Sequence, residues 1–221
     1  STPSNCFHYA FWAGKIAMEH MTPVLLLSDG FIANGSEPWR IPSMKEYPKI
    51  TPPIVTRAPE GGFQPYARDE KRLARMWALP GTKGVEHRVG GLEKDSLSGA
   101  VSHDPENHER MVGLRAAKVA RVQDFIPKQE VVGGRRGELL VVGWGGTYGH
   151  LLTAVRELQR RGEQVSLCHF NFIHPLPRGV REIFSRFRRI VVCELNSGQF
   201  AGYLRQQFQE FEFLRYNKIQ G

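Results

Sequence analysis

The feature that most constrains this chain is a strict alternation of two hydrophobic periods over its last third. Glu138 to Gly143 is a short, nearly continuous apolar run, and the Gly-rich segment Gly143-Trp144-Gly145-Gly146-Thr147 follows it. The next segment, to about Arg161, places Leu151, Leu152, Val155 and Leu158 on one helical face, and Gly162 closes it. Val165 to Phe170 reads as a second strand. Pro177 starts a helix carrying Val180, Ile183, Phe184 and Phe187 at 3.6-residue spacing. Ile190 to Cys193 is a third strand, Phe200 to Phe208 a helix, and Phe211 to Tyr216 a fourth strand. Apolar strands separated by amphipathic helices require a parallel α/β sheet, because a parallel pair can be joined only by a crossover.

The earlier part is different in kind. Ser4 is placed to cap a helix with Phe7, Ala10, Phe11, Ala17 and Met18 along it, and Thr22-Pro23 ends that helix. Val24 to Leu27 follows as a strand apolar on both faces, and Ser28-Asp29-Gly30 turns the chain. One helix and one strand do not make a domain, so the chain reads as beginning in mid-fold. Eight of the fourteen prolines then fall between Pro38 and Pro80, and hydrophobic periodicity disappears. This predicts an extended connection across a surface. Gly81 to Pro105 continues it, dense in glycine, histidine and charge. A helix is predicted over about Glu106 to Phe125, with Met111, Leu114, Ala117, Val122 and Phe125 on one side.

Bulk properties remove several function classes. The longest apolar run, around Pro23 to Leu27, is too short to span a bilayer, and no signal peptide is visible, so a cytoplasmic location and no membrane contact are expected. Cys6, Cys168 and Cys193 are far apart with no CxxC pair, which predicts no zinc knuckle and no iron–sulfur cluster, and suits a reducing compartment. The formal charge of +8 raises the question of nucleic acid. Yet Arg135-Arg136, Arg160-Arg161 and Arg188-Arg189 stand at loop and helix ends, with no basic stripe interleaved with aromatics, so none is expected.

Three segments carry candidate chemistry. GWGGTYG, Gly143 to Gly149, lies between a strand and a helix N-terminus, where Gly145 and Thr147 could face an anion. Its spacing matches neither GxGxxG nor a P-loop, and a tight strand–helix turn is the preferred reading. Glu194, Asn196 and Gln199 follow a strand and precede a helix; they suit a ligand at a sheet edge, or a helix cap with a subunit contact, which is preferred. The loop Gly84 to His108 gathers Glu86, His87, Arg88, Lys94, His103, Asp104 and His108 without the spacing of a standard metal site. A structured loop near an anionic ligand fits it better, with Arg88 and Lys94 supplying charge.

Taken together, TPVLLLSDGFIANGSEPWRIP (Thr22 to Pro42), GVEHRVGGLEKDSLSGAVSHDPENH (Gly84 to His108), and LLVVGWGGTYG with CELNSGQ resemble the alpha subunit of 2-oxoacid:ferredoxin oxidoreductases. The long His-rich loop is similar to that of the 2-oxoglutarate type. The resemblance implies oxidative decarboxylation of a 2-oxoacid with coenzyme A, giving an acyl-CoA and reduced ferredoxin. It implies thiamine diphosphate, magnesium and an iron–sulfur cluster in a hetero-oligomeric complex, held by other chain segments or the beta subunit and none by this chain alone. It further implies the end of a pyrimidine-side domain (1–45), an extended connection with the His-rich loop and one helix (46–136), and a transketolase-C-terminal-like parallel α/β domain (137–221).

The family's YPITPSS-like and RGGPSTGLPT-like segments and its pyrimidine-side glutamate are not among these 221 residues. The expectation is therefore a piece inactive by itself, partnered by the beta subunit, ferredoxin and coenzyme A. No general base is assigned; His87 and His103 are proton carriers by residue type alone. The loop Glu86 to Lys94 is the candidate for reaching the active-site mouth, where Arg88 and Lys94 would attract a distal carboxylate or coenzyme A phosphates. The alternative is a non-catalytic docking module of the same complex.

Overall fold

A computed structural model describes residues 2–220. Its helices are α1 (Asn5–His20), α2 (Gly30–Asn34), α3 (Pro105–Arg121), α4 (Tyr148–Arg160), α5 (Val180–Phe184) and α6 (Gln199–Gln207). Its strands are β1 (Ile54–Val55), β2 (Trp77–Ala78), β3 (Gly137–Trp144), β4 (Val165–Phe170), β5 (Phe187–Glu194) and β6 (Phe213–Asn217). The chain divides into two compact units, one of residues up to His8, Leu27–Arg40 and Ile126 onward, the other of Tyr9–Leu26 and Ile41–Phe125. This division cuts across the three consecutive segments expected from sequence.

The first unit is built on a parallel four-stranded sheet in the order β4-β3-β5-β6. The α/β class expected from the alternating periods is present. β4 is buried at every position, which is why Val165 to Phe170 shows no alternation in sequence. On one face Phe170, Phe184, Phe200, Leu204 and Phe213 form the main core, and Phe170–Phe200 and Phe184–Phe213 meet edge-on at 5.1 and 5.3 Å. Such edge contacts add about 0.5–1.5 kcal/mol each beyond area burial. On the other face Val155 of α4 packs with Val141, Val165 and Leu167.

One boundary differs from expectation. Phe187, spaced as a helical residue after Phe184, instead opens β5, and α5 is only five residues long. Phe187 is buried in the same core cluster, so its burial satisfies either period, and its pairing with Gly137 decides the outcome.

The second unit contains most of α1, the proline-rich connection, β1 paired with β2, and α3. Asp104 caps α3 by accepting from Glu106 N, and Pro105 occupies the first turn. The connection is extended but tied down. Glu19 accepts from Thr51 N and Oγ1 and from Lys15 Nζ, and Trp77 Nε1 donates to Met18 O at 2.7 Å. On α1 the buried positions are Ile16, Glu19 and His20, whereas Phe7 and Met18, expected on its apolar face, are exposed. The connection supplies Glu19 with hydrogen-bond partners, whereas the buried ring nitrogens of His20 have none and its ring packs 5.0 Å from that of Phe125.

Val24 to Leu27, expected as an interior strand, joins no ladder. Leu25 and Leu27 are 87% and 69% exposed. A strand is defined by its neighbours, and among the described residues none pairs with this segment. Asp29 does act as expected in the turn, capping α2 by accepting from Ile32 N at 2.9 Å.

Candidate functional site

In the sheet unit the strand order reverses between β3 and β5, the position at which open α/β sheets commonly bind ligands outside the strand ends. Both candidate turns lie there. Glu194, at the end of β5, is 2% exposed. Its carboxylate accepts from Phe200 N and Ala201 N, both at 2.9 Å, and from Trp144 Nε1 at 3.1 Å. These amides at the start of α6 are the donors that an anion would otherwise take. Asn196 Oδ1 accepts from Gly198 N and Gln199 N, while Gln199 itself is exposed.

The turn after β3 is likewise filled from within. Thr147 Oγ1 donates to Trp144 O at 2.8 Å, and Gly145 has φ +61°. A Cβ at Gly146 would run into the Asp29 carboxylate, and one at Gly143 would meet Leu151 and, at 2.8 Å, Thr147 Oγ1. These glycines thus admit the chain's own side chains. Beneath the turn His169, paired in register with Gly143, packs edge-on to Tyr148 at 5.1 Å. Burial pushes its pKa down to about 3, and the neighbouring Gly145 and Trp144 backbone offsets only part of that. Burial also raises the thiols of Cys168 and Cys193, the latter to about 11, which makes both inert at neutral pH.

The loop 84–108 belongs wholly to the second unit. Glu86 Oε2 accepts from Gly84 N at 2.8 Å, and His87 Nδ1 lies 2.9 Å from Val85 O with its ring 5.5 Å from Phe63. Arg88 and His103 are exposed. Lys94, expected to face an anion from the loop tip, is instead 3% exposed. Its ammonium donates to Gly90 O at 2.6 Å and Leu92 O at 3.1 Å, closing the tight turn at Gly90-Gly91. Asn107 of α3 holds this turn by donating to Lys94 O and accepting from Ser96 N. Glu93 binds Arg115 through both oxygens at 3.1 Å and His108 at 2.9 Å. The Arg115 bonds foremost hold its carboxyl at about 2.

Alongside this network lies a cavity of about 450 Å³ that sequence reasoning missed, lined by Tyr66, Arg68, Arg75, Glu93, Lys94, Arg115 and Lys118 with Leu73, Met111 and Leu114. Arg68 and Arg75 stand in the stretch without periodicity, so nothing in sequence marked them as neighbours; an antiparallel backbone bridge pairs them. Arg115 and Lys118 did carry a signal, since they share the helical face of Met111 and Leu114, where apolar residues alone were expected.

Among the described residues no group of three or more His, Cys, Asp or Glu is placed to hold a metal ion, and the three cysteines are free. Among the described residues no helix is long and apolar enough to cross a membrane.

No protein-family model matches the chain. Among curated proteins it is 45% identical, over 94% of its own length, to the 2-oxoglutarate oxidoreductase subunit KorA of Mycobacterium tuberculosis, of which it covers 31%. It is 26% identical over 90% of its length to the 2-oxoglutarate synthase subunit KorA of Methanothermobacter marburgensis, covering 52% of that protein. Among solved structures, a 2-oxoglutarate:ferredoxin oxidoreductase from Magnetococcus marinus, with 2-oxoglutarate, coenzyme A and succinyl-CoA bound, matches 97% of the chain at 26% identity. The TM-score is 0.86, and the chain covers 37% of that structure. The chain is thus a homologue of the alpha subunits of 2-oxoacid:ferredoxin oxidoreductases. Within that class its similarity is to the 2-oxoglutarate-type KorA subunits, and it spans about a third to a half of the length of the relatives named here.

Proposed function

We propose that this chain is part of the alpha subunit of an enzyme that oxidatively decarboxylates a 2-oxoacid, 2-oxoglutarate foremost, with coenzyme A. The bond between C1 and C2 breaks with release of CO2. The acyl carbon bonds the coenzyme A sulfur as the thiol gives up its proton, and the two electrons released pass singly to two ferredoxins. The observation that carries this reading is the 45% identity with a KorA subunit over nearly the whole chain. The ligands named for the Magnetococcus structure support the substrate and coenzyme.

In this reading thiamine diphosphate, which acts as an electron sink when bound, belongs with magnesium and the cluster to other segments or the beta subunit. The chain is cytoplasmic and inactive alone. The exposed Arg88, beside Glu86 and His87, is the group of the loop available to a distal carboxylate or a coenzyme A phosphate. Exposed His103 and half-buried His87 are the proton carriers by residue type.

A second reading, subunit docking without ligand contact, is favoured by one observation: Glu93, Lys94 and Asn107 are spent on holding the loop itself. One experiment addresses both. Full-length alpha is reconstituted anaerobically with its beta partner, and viologen reduction is followed with 2-oxoglutarate, pyruvate and branched 2-oxoacids, with and without coenzyme A. Coenzyme-A-dependent reduction fastest with 2-oxoglutarate is expected. No reduction from a complex holding its cluster and thiamine diphosphate overturns the reaction. Loss of turnover in Arg88→Ala with assembly intact eliminates the docking reading.

A further inference from the structure

We infer that the cavity between the Arg68/Arg75 bridge and α3 is a binding site for a small molecule bearing a phosphate or diphosphate group. It lies within one unit of the fold, and no residue of it figures in the reading of Arg88 above.

The charge arrangement carries this inference. Five cationic side chains line the cavity against a single carboxylate, Glu93, and that carboxylate is already matched to Arg115. The others have neutral partners. Arg68 donates to Tyr66 O at 2.8 Å and Ser96 O at 3.0 Å, and Lys118 donates to Met21 O at 2.8 Å. Arg75 has one long bond, to Pro65 O at 3.4 Å, and its guanidinium lies 4.2 Å from the Tyr66 ring centroid. Carbonyls and a ring face satisfy donor geometry without cancelling charge.

Like charges set opposite one another across a bridge are destabilising, yet the backbone places Arg68 directly opposite Arg75. Burial, and after it the neighbouring arginines, lower the pKa of both Arg68 and Lys118, so the cations feel one another. A bound anion relieves that repulsion. A monocarboxylate would leave most of the surplus uncompensated, whereas a phosphate dianion or a diphosphate meets it, and arginine forks suit phosphate oxygens. The volume of about 450 Å³ lies within the usual range for small-molecule sites. Leu73, Met111 and Leu114 offer an apolar wall to the rest of such a ligand.

The test is calorimetric titration of the full chain at low ionic strength with inorganic pyrophosphate, inorganic phosphate and 2-oxoglutarate. Saturable one-to-one binding is expected, with pyrophosphate tightest. Arg75→Met and Lys118→Met should each weaken it at least about tenfold, which corresponds to about 1.4 kcal/mol. Arg156→Met, at an exposed position of α4, should leave it unchanged. Glu93→Gln, which removes the one carboxylate lining the cavity, should tighten binding severalfold, and it carries the test if either cation variant fails to fold. Equal pyrophosphate affinity in every variant overturns the inference. So does tighter binding of 2-oxoglutarate through the same residues. Turnover is not measured, so this outcome stands apart from that of the proposed reaction.

Discussion

Trp144 Nε1 donates to the buried carboxylate of Glu194 at 3.1 Å, tying the end of β3 to the end of β5 where the strand order turns. The same carboxylate receives the amides of Phe200 and Ala201, so one side chain joins two strands and the start of a helix. Glu194→Ala leaves three donors without their acceptor in a closed site. A loss of about 3–5 kcal/mol is expected in urea denaturation of the full chain. Glu194→Gln should cost less, because one amide oxygen still accepts. Equal stability of Glu194→Ala and wild type would show that water replaces the carboxylate.

Acid should destabilise the sheet unit through His169. Its folded pKa is about 3, against an unfolded value near 6.5. The unfolded chain therefore binds the extra proton first. The stabilisation from keeping this ring neutral is fully present above about pH 6.5 and is lost as pH falls toward 3. Over that window it amounts to roughly 3–5 kcal/mol. His169→Gln should flatten stability between pH 6.5 and 4, measured as denaturant midpoints. A slope as steep as that of wild type would assign the acid sensitivity elsewhere.

Lys94 and Arg88, six residues apart in one loop, should respond unequally to truncation. Lys94→Met removes the buried ammonium that ties the Gly90 and Leu92 carbonyls of an exposed turn and should cost about 0.5–1.5 kcal/mol. Arg88→Ala, at an exposed position, should change stability by less than about 0.5 kcal/mol. Thermal unfolding of the two variants side by side checks both expectations.

These residues also show how far the sequence could be read. In the sheet unit each apolar period has its neighbours within the chain, so strands and helices were legible to within a few residues. Phe187 marks the limit, since its burial satisfied two periods and only pairing with Gly137 chose between them. Val24 to Leu27 carried a strand's composition but no partner, and composition cannot supply a ladder. Asn196 accepts from the Gly198 and Gln199 amides, and Glu194 and Thr147 bond within their own turns, roles that a strand–turn–helix pattern encodes locally.

The charged loop was harder. A lysine beside glycines looks alike in sequence whether it reaches outward or folds onto its own carbonyls, and burial alone separates the two for Lys94. Arg68 and Arg75 were invisible because their meeting is a backbone event between residues of no hydrophobic period.

Glu194 has a consequence for motion as well as for strength. An empty helix N-terminus breathes, its first amides exchanging with solvent until a ligand arrives. Here the occupant is covalently part of the chain and cannot be depleted or competed away. The Phe200 and Ala201 amides should therefore be among the slowest to exchange hydrogen in α6. This corner of the sheet should therefore keep one shape whether or not an anion is present, leaving responsiveness to the parts of the chain that still have charge unspent.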